Sequence, residues 1–159
     1  MRQWGSTWFQ AQDRAYTIEN ILPQSRSFFR PVGENERTIG SFILPSFQRP
    51  SVWTRDQKVR LIESFLDGLP VSPYVVNCDL EDGYTYDRWL LDGQQRVTAL
   101  SEFIAGDFAV RGVHFTDVGQ ADQRWFLSRP FYCLVTELRD EWLLKEIYDR
   151  LAFGGTPHQ

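Results

Sequence analysis

The sequence predicts an α/β domain in which strand-like apolar runs alternate with amphipathic helices. Three observations predict it. A capped helix follows a proline-bracketed loop at residues 54–68, a strand passes without a linker into a tight turn and a helix at residues 92–96, and strand-like and helical segments keep alternating to residue 151. The length of 159 residues corresponds to one domain. With 42% hydrophobic and 15% aromatic residues there is ample apolar surface for a core. Residues 1–36 are expected to form an N-terminal arm or cap, and residues 37–159 the domain itself.

Residues 1–36 mix Trp4, Trp8, Phe9, Phe28 and Phe29 with Pro23, Pro31 and Gly33 and show no sustained period. Residues 38–44 (TIGSFIL) read as a strand stopped by Pro45, and residues 46–52 (SFQRPSV) as a loop between prolines. Thr54 with Gln57 three residues on forms a capping-box pattern, and Val59, Ile62, Phe65 and Leu66 recur at helical spacing until Gly68, with Pro70 just beyond. Residues 73–80 (PYVVNCDL) and 84–91 (YTYDRWLL) read as strands joined by Glu81, Asp82 and Gly83, whose Asp-Gly pair signals a hairpin. Val97, Leu100, Phe103 and Ile104 make the stripe of a helix from Gln94 to Gly106. A short strand pair at 108–118, a helix at 120–127, a strand at 131–138 and a helix at 140–151 complete the pattern. Trp125 and Trp142 fall on apolar stripes and are expected in the core.

Composition excludes several kinds of chemistry. No apolar run approaches the roughly 18 residues needed to cross a bilayer, and the first residues lack the basic and then apolar regions of a secretory signal. A cytoplasmic protein without a membrane partner is expected. Cys78 and Cys133 lie in apolar runs, where a free cysteine behaves as a small hydrophobe, so neither a disulfide framework nor a cysteine-rich zinc site is expected. Two histidines, His114 and His158, leave little from which to build histidine metal sites or a Ser-His-Asp triad. No haem or flavin is expected either. The net charge is −4, unevenly spread: residues 1–60 carry nine Lys and Arg against five Asp and Glu, the rest eight against sixteen. An acidic total argues against a chain that coats DNA by charge alone.

The sharpest feature is DGQQR, residues 92–96, where a strand ends and a helix begins. A helix start presents unpaired N–H groups and the positive end of its dipole, so anions bind there. Gly93 lets the backbone approach closely, and Asp92 can cap the helix or hold a divalent cation through water. Gln94 and Gln95 offer amide donors and acceptors, and Arg96, one turn in, can fork onto a phosphate. An N-cap, a tight turn and a solvated first turn would explain the same residues on spacing alone. A second Gln-Arg pair, Gln48 and Arg49, precedes Trp53 and suits two-sided phosphate recognition. Trp53 could stack on a base, although an aromatic beside a proline-rich loop more often anchors it.

The strings LPSFQRPSVWTRDQKVRLIESFLDGLPVSPYVV, LLDGQQRVTALSEFIAGDF and YDRLAFGGTP resemble the DGQQR-motif domain of the ParB/sulfiredoxin-like superfamily. This is the N-terminal domain of GmrSD-type modification-dependent restriction enzymes and related phage-defence proteins. The likeness covers residues 38–157, nearly all of the chain after the arm. It implies an α/β (α+β) domain with a small mixed sheet flanked by helices. It also implies a site that binds and hydrolyses a nucleoside triphosphate with Mg²⁺, coupled in such enzymes to DNA cleavage by a separate nuclease domain.

Carried over residue by residue, Asp92, Gln94, Gln95 and Arg96 take the catalytic positions, with Asp92 holding Mg²⁺ through water. Gln48, Arg49, Gly93 and Arg96 take the nucleotide-binding positions. Nothing in the sequence matches the partner nuclease. Relatives tend to carry Asn where this chain has Ala152, so one polar contact is missing. Slow hydrolysis is therefore the leading expectation. A nucleotide-switched DNA- or protein-binding module without catalysis is the alternative, and a ParB-like nuclease the third reading. DNA, a separate nuclease or effector subunit, and a second copy in a homo-oligomer are left open as partners.

Overall fold

The computed structural model describes residues 3–23, 32–50, 52–81 and 85–153, and its fold is α+β. The strands are β1 (Gln12–Arg14), β2 (Arg37–Ile39), β3 (Phe42–Leu44), β4 (Tyr74–Asn77), β5 (Leu90–Asp92), β6 (Ala109–Val110), β7 (Val113–His114) and β8 (Cys133–Thr136). The helices are α1 (Arg55–Asp67), α2 (Gln94–Ile104), α3 (Gln120–Leu127) and α4 (Glu141–Phe153). The main sheet has the order β1-β8-β4-β5. It is mixed, as expected, because β8 and β4 are parallel while β1 and β5 pair antiparallel at its edges.

Side chains alternate faces along a strand, and a sheet covered on both faces carries continuous apolar runs. That is the logic of YVV in β4 and of WLL leading through β5. Tyr74, Val76, Leu90 and Cys133 face a core built with Ile62 and Phe65 of α1 and Val97 and Leu100 of α2. Val75, Trp89, Leu91 and Leu134 face the opposite core, closed by Leu144 and Ile147 of α4. Register shifts between Val75 and Val76, where Leu91 is the extra residue of a bulge just before Asp92.

Several sequence expectations change. The run 38–44 is a tight hairpin, β2–β3, because Gly40 is left-handed (φ 56°) and Ser41 N–H donates to the Ile21 carbonyl. The strand expected at 84–91 shrinks to β5. Tyr86 N–H donates to the buried Asp79 carboxylate, Asp79 N–H donates to that of Asp87, and Arg88 is left-handed (φ 63°), so residues 85–88 turn. β4 and β5 pair antiparallel as a hairpin requires, but Asp82 and Gly83 lie outside the described residues. Trp125 and Trp142, expected inside, are 45% and 69% exposed. The buried stripes run through Phe126 in α3 and through Leu144, Ile147 and Tyr148 in α4, and Arg129 covers the Trp125 ring.

Within the segment expected as an arm, β1 forms an edge of the main sheet, and a 3₁₀ turn at Ile18–Ile21 buries both isoleucines completely. Phe28 and Phe29 lie outside the described residues. Among the described residues no helix is long and apolar enough to cross a membrane.

Candidate functional site

β5 delivers Asp92 to the sheet's end, and the chain turns at Gly93 (φ 104°) to start α2. Asp92 is thus the last strand residue, and Gly93 itself is the N-cap, with no side chain to bond the helix start. A Cβ at position 93 would lie 2.7 Å from Tyr74 Cβ, so both the conformation and the space demand glycine. The result is a helix start packed closely against Tyr74 of β4.

Arg96, one turn into α2, folds back over this turn. Its Nη2 donates to the Pro73 carbonyl at 2.9 Å and lies 3.5 Å from Asp92 Oδ2. Its Nε is buried and has no hydrogen-bond partner among the described residues. Burial holds the Asp92 carboxyl above the ordinary carboxylate range, opposed by the Arg96 guanidinium and the Gly93 N–H.

The structure brings the two Gln-Arg motifs together, and the glutamines make the junction. Gln48, 6% exposed, donates its amide to the Leu90 carbonyl, two residues before Asp92. Gln95 Oε1 accepts from Val52 N–H and Trp53 N–H, each at 3.1 Å. Residues 45–50 and 52–53 therefore form a strap clamped to β5 and α2. Gln94 is buried, and Arg49, exposed, lies in the strap between the two clamps. Trp53 is half-buried and packs on the core beneath α1 and α2, so its ring anchors the strap.

Sequence reasoning missed two participants. Arg37 Nη2 donates to the Gln48 carbonyl at 3.1 Å, and the Tyr148 hydroxyl accepts from Arg49 N–H at 3.2 Å. Tyr148 reads from sequence only as one more residue on α4's apolar stripe, and nothing local marks its hydroxyl.

The family model for the GmrSD restriction endonuclease N-terminal domain matches residues 32–154, most of the chain, and spans both the strap and the turn. The chain belongs to this family. No curated protein and no solved structure matches it. Membership places this GmrSD N-terminal domain in the setting of restriction and phage defence.

The donor set of this GmrSD N-terminal domain suits Mg²⁺ in one way only. Among the described residues no group of three or more His, Cys, Asp and Glu could hold a metal ion, so none of these residues forms an all-protein cage. Mg²⁺ commonly keeps its waters and takes one or two carboxylates together with a ligand's phosphates, and Asp92 fits that arrangement. Both thiols are shifted toward the protonated form. Burial pushes Cys133 up to about 12 and also raises Cys78, with Asp87 adding to the latter.

A recess of about 270 Å³ opens along β4 between Tyr16, Phe42, Asn77 and Asp87, and none of the candidate residues lines it. Its buried polar groups are spent on structure: Asn77 bonds Tyr86, Thr136 and Leu138, and Asp87 accepts from Asp79 N–H.

Proposed function

We propose that this domain binds a nucleoside triphosphate with Mg²⁺ at the β5–α2 turn and hydrolyses it slowly, as a module of a restriction or phage-defence system. The observation that carries the reading is the buried, unpartnered Arg96 Nε beside a glycine-started helix. A buried donor without an acceptor is costly, and a phosphate oxygen at the helix start would satisfy it.

Arg96 and Arg49 grip the phosphates from the two sides of the junction and stabilise charge that develops on them during transfer. Asp92 is the carboxylate that would hold Mg²⁺ through water. Mg²⁺, when bound, neutralises phosphate charge. Gln95 is committed to the strap through its carbonyl oxygen, so Gln94 is the amide assigned to orient the attacking water.

Charge-assisted hydrogen bonds contribute about 1.5–3 kcal/mol, so Arg96→Ala should weaken affinity about tenfold or more. Calorimetric titration with Mg·ATP and Mg·GTP measures this, and undiminished affinity in a folded variant would remove the reading. Binding without turnover, as a switch for DNA or an effector subunit, is the second reading. It is favoured by the engagement of Gln48 and Gln95 in bracing.

A further inference from the structure

The geometry points to Tyr148 of α4 as the positioning residue for Arg49, so that the last helix sets one jaw of the phosphate grip. This rests on the nucleotide-site reading above.

Arg49 is fixed from both sides along the chain. Pro50 follows it, and a residue before proline is confined to extended conformations. On its N-terminal side the Arg49 N–H donates to the Tyr148 hydroxyl at 3.2 Å. The Tyr148 ring is itself held in place: it is 7% exposed and sits 5.3 Å from the Phe47 ring, which in turn meets Trp89 edge-on at 5.7 Å. Trp89 belongs to the core that α4 forms against β5 through Leu144 and Ile147. A hydroxyl anchored in that core thus meets the backbone of the residue whose guanidinium the function requires. Gln48, one residue earlier, is tied to β5 by its own side chain, and the peptide unit that joins it to Arg49 is held by Arg37 on the carbonyl side and by Tyr148 on the N–H side.

Tyr148→Phe keeps the ring and deletes the acceptor, and three measurements on the full chain test the assignment. In protein without nucleotide, exchange of the Arg49 amide proton should accelerate several-fold in Tyr148→Phe. In titrations with Mg·ATP and Mg·GTP, Tyr148→Phe should weaken binding about three- to tenfold. Adding Tyr148→Phe to Arg49→Ala should cause no further loss, because both changes remove the same grip. A loss of packing alone would lower thermal stability and add independently to the Arg49→Ala effect.

Wild-type affinity in Tyr148→Phe, or additive losses in the double variant, would overturn the positioning role while leaving the nucleotide site standing. If Arg49→Ala binds as wild type does, the grip itself is misassigned and the inference falls with it, whatever the amide exchange reports.

Discussion

Asp92 carries an electrostatic cost that can be read by titration. Its carboxyl is raised by burial despite Arg96 nearby, so the folded protein holds this proton more tightly than the unfolded chain does. Between the ordinary Asp value of about 4 and the raised value, the unfolded state binds fewer protons, and stability falls as pH rises. Above that window the ionised carboxylate is a standing penalty; below it there is none. Asp92→Asn keeps the size and removes the charge. The variant should match wild type in acid below about pH 4 and exceed it in thermal stability at neutral pH, while losing Mg²⁺-dependent nucleotide binding. Melting curves across this pH range check it. A variant less stable than wild type at neutral pH would mean that the Arg96 pairing outweighs desolvation.

The strap is held by four elements, β2, β5, α2 and α4, and its anchors differ in burial. Gln48 bonds the Leu90 carbonyl inside the protein, whereas Gln95 receives N–H groups of which that of Val52 is at the surface. Leaving a buried carbonyl unpaired costs about 1–3 kcal/mol, so Gln48→Ala should lower unfolding free energy by that amount and Gln95→Ala by less. Urea titration ranks them; the reverse order would show that the α2 clamp dominates.

These contacts also mark how far the sequence could be read. α1 was legible because Thr54 and Gln57 form the capping box and Gly68 closes the helix. The β5–α2 turn was legible because Gly93 stands between an apolar strand and an apolar stripe. The partners of Gln48 and Gln95 were not, since each lies more than 40 positions away and an amide in a loop looks the same whether it faces a ligand or a backbone. β1 was invisible for another reason: Gln-Asp-Arg has no apolar residue and joins the sheet through backbone pairing with β8 alone. Helical spacing placed Trp125 and Trp142 beside the buried stripes without fixing which neighbour faces inward.

At the scale of the whole molecule, the fold begins earlier than the family match does. The match starts at residue 32, yet residues 12–21 supply an edge strand and two isoleucines with no exposure. This segment is stitched to distant parts of the chain. Ile18 N–H donates to the Arg129 carbonyl, Phe131 N–H to that of Tyr16, and Ser41 N–H to that of Ile21. Ile18 and Ile21 both pack into the core shared with α1 and α2, the helix that carries Arg96. Truncating a fully buried isoleucine to alanine costs about 2–5 kcal/mol, and a domain is stable by only about 5–15 kcal/mol. Removing both isoleucines and exposing the edge of β8 should consume most of that margin. A chain starting at residue 32 is therefore expected to lose cooperative thermal unfolding, and Ile18→Ala or Ile21→Ala in the full chain should each lower the unfolding midpoint by several degrees or more. Circular dichroism melts of the three proteins decide it: a truncated chain melting like the full one would make residues 12–21 an accessory to a core complete without them.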